Sequence, residues 1–135
     1  MKKDLQESFD RLEKALNALQ RIIEMPIDEE RAYIDAAIQR FEFTIELFWK
    51  LLKRIIANHG VQVTYPKDIL KEAYAGKLID DETIWRKMLE DRNLTSHTYN
   101  EELADDVYNH IKAYYPVMQQ TFEKLHELEL GESSS

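Results

Sequence analysis

The sequence predicts an all-α fold, an antiparallel up-and-down bundle of about five helices. Two observations carry this. Apolar residues recur at alternating steps of 4 and 3 along most of the chain, which places them on one face of a helix. Only three Gly and three Pro punctuate the 135 residues, which favours a few long helices over many short strands. The length fits one domain, placed at residues 1–130, with residues 131–135 (Gly-Glu-Ser-Ser-Ser) as a flexible tail.

The first helix is marked by Leu5, Phe9, Leu12, Leu16, Leu19 and Ile23. Pro26 ends it, and Asp28 with Glu29 and Glu30 offers a cap and an acidic first turn for the next. The second helix is the longest, with Ile34, Ile38, Phe41, Ile45, Phe48, Leu52 and Ile55 on its stripe. Ala37, Thr44, Trp49, Leu51 and Ile56 widen that stripe, enough to contact several helices or a second subunit. Gly60 suits a left-handed cap. Val61–Thr64 reads as a connector. Pro66 opens a short third helix with Ile69, Leu70, Ala73 and Tyr74 on its apolar face, closed by Gly76. Asp80 is the expected cap of a fourth helix, whose inner face is Ile84, Trp85, Met88 and Leu89. Thr98-x-x-Glu101 has the form of a capping box and starts the last helix near Thr98. Leu103, Val107, Ile111, Tyr114, Met118, Phe122 and Leu125 line that helix, and Pro116 within it predicts a kink rather than a stop.

Composition excludes several function classes. Without cysteine there are no disulfides, thiolate zinc sites or cysteine nucleophiles. Eighteen Lys and Arg against 26 Asp and Glu leave a net charge of −8, which opposes broad binding to a phosphate backbone while permitting a local basic pocket. No apolar run reaches the ~20 residues that cross a bilayer, and Met1–Glu7 lacks the apolar core of a signal peptide. A cytoplasmic protein with no membrane contact is the expectation. No glycine-rich phosphate loop is present, so the chain is not itself expected to be a nucleotidyltransferase.

Glu123-x-x-His126 has the spacing of one half of a di-iron ligand set, but no other histidine has a glutamate three residues before it. A salt-bridged surface pair is the better reading, and neither a metal nor another cofactor is expected. Phe41, Phe43, Phe48 and Trp49 read as core, and Asp80–Glu82, Glu101–Glu102 and Asp105–Asp106 as caps and solvated faces.

One stretch stays outside this pattern, Asp91-Arg92-Asn93-Leu94-Thr95-Ser96-His97-Thr98-Tyr99-Asn100-Glu101. On an ideal helix Arg92 and His97 would stand ~140° apart, but a break before Thr98 brings both toward one cleft. Arginine binds phosphate through two parallel hydrogen bonds, histidine moves protons near neutrality, and a helix start supplies further N–H donors to an anion. Spacing alone favours the plainer alternative, in which Arg92 pairs with Glu90 or a neighbouring helix and His97 fills a turn.

The same stretch closely resembles the signature of the nucleotidyltransferase substrate-binding family, a branch of the HEPN superfamily. Arg92, Asn93 and His97 match that superfamily's arginine, polar residue and histidine, and Tyr99 matches the extended form of the toxin-like (HepT-like) members. The likeness extends over the lead-in from Pro66 to Trp85 and the helix order. It implies a HEPN-like helical homodimer, encoded beside a small nucleotidyltransferase with which it forms a complex. Under one implication the chain is the nucleotide- or substrate-binding subunit, with Arg92, Asn93, His97 and Thr98 around a phosphate. Under another it is a metal-independent endoribonuclease toxin of a toxin–antitoxin pair, with Arg92 and His97 catalytic, silenced by nucleotidylation of Tyr99. A third reading is a non-catalytic helical adaptor.

Overall fold

The structure, a computed structural model, describes residues 2–26, 31–97 and 100–131. Five α-helices carry it: α1 (Lys2–Ile23), α2 (Ala32–Asn58), α3 (Pro66–Ala75), α4 (Glu82–Leu94) and α5 (Glu101–His126). A single 3₁₀ turn, Thr95–His97, joins α4 to the start of α5, and a π turn, Glu127–Gly131, follows α5. Residues 61–64 form a connector, and no strand occurs among the described residues. Asp28, the expected cap of α2, lies outside them; α2 starts after Arg31, which holds a left-handed φ of 62°.

The contacts fix the topology. As α2 rises from Arg40 to Thr44, its bonds reach back along α1 from the Ala18 to the Ala15 carbonyl, so these helices run antiparallel. The pairs Phe48–Trp85 and Glu46–Arg92 make α2 and α4 antiparallel. Asp80–Lys124 and Asp91–His110 do the same for α4 and α5. The result is an up-and-down bundle with the short α3 in the α2–α4 connection. The expected stripes of α2 and α5 are buried apart from Trp49 and Leu103, which are half-buried, and α2 packs against all four other helices. Its wide stripe therefore meets several partners inside one chain. Phe41 and Trp85 lie at the centre, the former stacked on Tyr114 and the latter edge-on to Phe48. Each side chain so buried contributes about 1.5–3 kcal/mol.

Helix ends follow local chemistry, with some differences from the sequence pattern. Gly60, at φ 95°, takes the left-handed position after α2, with Val61 N–H donating to Ile56 and Gly60 N–H to Ala57. That is a Schellman cap. The end of α3 has the same bonds, Leu78 N–H to Ala73 and Lys77 N–H to Tyr74, but Gly76 sits at φ −87° and Lys77 takes the left-handed place at φ 63°.

The cap of α4 is Asp81 rather than Asp80. Its Oδ1 accepts from the N–H groups of Thr83 and Ile84, while Asp80 reaches across to Lys124 at 2.7 Å. The last helix starts at Glu101, with Asn100 Oδ1 accepting from Leu103 N–H at 3.1 Å. Thr98, the expected cap, lies outside the described residues. Pro116 stands on the exposed side of α5, which continues through it. Two expected core aromatics are displaced: Phe43 is 60% exposed and Tyr74 49%. Phe43 is two residues from Phe41, so the helix turns it about 200° away from the core, and Tyr74 lies beside the α3 face formed by Ile69, Leu70 and Ala73.

Candidate functional site

Arg92 sits in the last turn of α4 and points to α2. Its Nε and Nη2 both donate to Glu46 Oε2, at 3.1 and 2.5 Å, and Nη1 lies 3.7 Å from Glu42 Oε2. The Thr95 hydroxyl is within hydrogen-bond reach of the Glu42 carboxylate and, at 2.7 Å, of the Arg92 carbonyl. A guanidinium between two carboxylates is charge-neutralised, so an incoming phosphate must compete with α2 for it. Of the two partners weighed for the plainer reading, a neighbouring helix is the one seen.

The other predicted site residues divide into three groups. Asn93 is exposed on the last turn of α4. The backbone of His97 closes the 3₁₀ turn; its side chain lies outside the described atoms. Thr98 and Tyr99 lie outside the described residues altogether. The expected phosphate seat at the start of α5 is modified by its neighbours: Asn100 occupies the Leu103 N–H, and Glu101 and Glu102 stand in the first turn, where their charge already complements the helix dipole. Asp105, also near that start, pairs with Arg31 at 2.6 Å and ties the beginning of α2 to α5.

A second polar cluster was absent from the sequence reading. Asp91, the neighbour of Arg92, is buried at 6% exposure. Its Oδ2 lies 2.9 Å from His110 Nδ1 and accepts the Tyr114 hydroxyl. A buried carboxylate persists only with such donors. Burial, reinforced by Asp91, pushes the Tyr114 phenol well above its ordinary range, so it stays a donor. These residues line a groove of about 540 Å³ between α4 and α5, together with Thr83, Ile84, Lys87, Glu90 and Ala113. One sequence signal pointed to it. Trp85 and Met88 step by three onto Asp91, so a carboxylate continues the apolar stripe, and His110 and Tyr114 share one face of α5 at i, i+4.

Glu123 and His126, weighed for a metal, go separate ways: Glu123 accepts from Gln119, and His126 lies edge-on to Phe9 at 5.2 Å. Among the described residues no three His, Asp or Glu side chains gather as a metal ligand set would. No described helix is long and apolar enough to cross a membrane.

Comparison with known proteins places this architecture. A protein of Thermus thermophilus with a known crystal structure is 35% identical, with a TM-score of 0.79 over 84% of this chain and 98% of that one. HI0074 of Haemophilus influenzae, described as having the fold of a substrate binding domain of a nucleotidyltransferase, is 31% identical. Its TM-score is 0.68 over 92% of this chain and 98% of that one. A Haemophilus influenzae protein named Probable ribonuclease HepT is 42% identical over 83 residues, 58% of this chain, and the match spans 57% of that relative's length. The family profile described as nucleotidyltransferase substrate binding protein like matches residues 7–127. With its five-helix bundle and a match over nearly its whole length, this chain belongs to the nucleotidyltransferase substrate-binding protein-like family.

Proposed function

We propose that this chain is the nucleotide- or substrate-binding subunit of a two-component, toxin–antitoxin-like nucleotidyltransferase system. It acts as a homodimer in the cytoplasm, with Arg92 and His97 of two copies at a shared cleft. The family match over residues 7–127 carries the reading. Its fit to the chain rests on Arg92, a partly exposed guanidinium placed by α4 and held in orientation by Glu46 and Glu42. An anion that displaces these carboxylates meets a preset fork. Asn93, exposed one residue on, would add an amide, and Thr98, later in the same stretch of sequence, a hydroxyl. Phe43, exposed on α2 between Glu42 and Glu46 in sequence, offers apolar area for a second copy to bury. The partner is a small nucleotidyltransferase.

The test is calorimetry with a nucleotide and with a small nucleotidyltransferase, sought in the reading frame beside this gene. Wild type binds one or both, and Arg92→Ala weakens the phosphate-dependent part. Sedimentation as a monomer at micromolar concentration would refute the shared cleft.

The HepT relative favours a second reading, a metal-independent endoribonuclease. His97 would take the proton of a ribose 2′-hydroxyl as that oxygen attacks the adjacent phosphorus. The P–O5′ bond breaks, a 2′,3′-cyclic phosphate forms, and a proton returned from a histidine leaves with the 5′-oxygen. Arg92 would balance the charge growing on the phosphate oxygens. The transferase would silence the site by nucleotidylating Tyr99. RNA cleavage that persists with a chelator and disappears in His97→Ala supports this reading. Intact RNA with both proteins leaves the binding subunit. If RNA and nucleotide both fail and only the transferase binds, the chain is an adaptor.

A further inference from the structure

The groove between α4 and α5 has no part in the reading above, which uses the α2-facing side of α4. Yet it holds a polar arrangement anchored on a buried carboxylate. Asp91 is buried and takes two donors on one oxygen, the Tyr114 hydroxyl and His110 Nδ1. The Tyr114 bond comes from the core side and fixes the carboxylate. That carboxylate in turn fixes the imidazole: in the neutral ring, with Nδ1–H donating to Asp91, the other nitrogen, Nε2, carries the lone pair. The His110 side chain is 53% exposed, so the chain of bonds runs from a buried phenol through a buried carboxylate to an accessible acceptor. An exposed surface pair would need neither the buried carboxylate nor its second donor.

The lining defines the ligand. Ile84 and Ala113 give apolar surface for a ring. His110 Nε2 and the Glu90 carboxylate are acceptors, which call for hydroxyl or amino donors. Asp81, Glu90 and Asp91 stand against Lys87, so a phosphate would meet more negative than positive charge. A groove of about 540 Å³ lies within the size of sites for small molecules. We propose that this groove is a second binding site, for a phosphate-free, hydroxyl-bearing ring compound whose hydroxyl donates to His110 Nε2. Asp91 and Tyr114 are positioning residues there, and Lys87 stands at the side of the groove as a further donor. The site is separate from Arg92, although Asp91 and Arg92 are consecutive: the one faces α5, the other α2.

The probe is adenosine, with its 5′-monophosphate as the charged comparison, titrated by calorimetry and by the imidazole signals of His110. Adenosine should bind wild type and shift the His110 Nε2 resonance. His110→Ala, an exposed change, should weaken binding roughly three- to ten-fold, the value of one hydrogen bond. Tyr114→Phe, which keeps the ring, should weaken binding less and alter the tautomer signal of free His110. Arg92→Ala should leave adenosine binding unchanged, so loss of the phosphate-dependent binding proposed above and loss of groove binding are read from different variants. No adenosine binding at millimolar concentration would overturn the proposal. Equal affinity in wild type and His110→Ala, or tighter binding of the monophosphate that His110→Ala removes, would overturn it too.

Discussion

Arg92 and Glu46 meet through two nitrogens and one oxygen, Nε and Nη2 converging on Oε2. The pair joins the last turn of α4 to the middle of α2. Since both side chains are partly exposed, its value for stability is small, about 0.5–1 kcal/mol. A double-mutant cycle with Arg92→Ala and Glu46→Ala should give a coupling of that size in thermal melts. Its value for binding is expected to be opposite in sign. Glu46→Gln removes a competing charge, so phosphate-dependent affinity should rise where Arg92→Ala lowers it; a fall in affinity would mean that Glu46 positions Arg92 more than it competes.

Asp91 is the more costly residue to remove. Asp91→Ala leaves the buried Tyr114 hydroxyl without its acceptor, and should destabilise the fold by about 1–3 kcal/mol. His110→Ala, on the exposed side of the cluster, should cost less. Urea unfolding of both variants checks the order.

Alkaline pH provides an independent test. Burial first, then Asp91, raises the Tyr114 phenol, and burial likewise raises Tyr108 and Tyr115. Below about pH 10 the phenols are protonated in folded and unfolded chains alike, so this stability is fully present. Above it the unfolded chain ionises while the folded one resists, and stability falls by up to about 1.4 kcal/mol per pH unit for each such residue. Urea midpoints measured from pH 8 to 11 should drop past pH 10, less steeply in Tyr114→Phe. A flat profile would contradict the burial of these hydroxyls.

Two helix ends give opposite expectations. Lys77→Gly should stabilise by about 1 kcal/mol, because only the lysine bears the left-handed strain that Gly60 avoids after α2. Asn100→Ala should destabilise by about 1 kcal/mol through loss of the cap on Leu103 N–H. Thermal melts of the two variants should move in opposite directions.

The sequence made the bundle legible because burial in a helix writes itself as a 4-3 step, and Ile34 to Ile55 obeys it without exception. Caps were less legible. Asp80 and Asp81 are equally good caps by type; the one that caps is Asp81, while Asp80 meets Lys124, 44 residues away. At the start of α5 the side chain that reaches Leu103 N–H is Asn100, a cap type two residues beyond Thr98 that the capping-box pattern passed over. Arg92 was legible as the residue to watch, but its partners were not, since Glu42 and Glu46 lie on another helix and are spaced like any solvated pair. In the Asp91–His110–Tyr114 cluster the place of Asp91 on the α4 stripe and the i, i+4 pair on α5 are each local, but their meeting across 19 and 23 residues of chain is not.

Consecutive positions on α4 thus hold opposite attachments, Asp91 to α5 and Arg92 to α2. A helix turns about 100° per residue, so deleting one residue between Glu82 and Asp91 would swing both groups out of reach of their partners in one step. Charge thereby proofreads the register of α4, along with the apolar stripe of Trp85 and Met88. The stripe alone would accept a slide of three or four residues, bringing other side chains to the same face; the adjacent acid and base accept none.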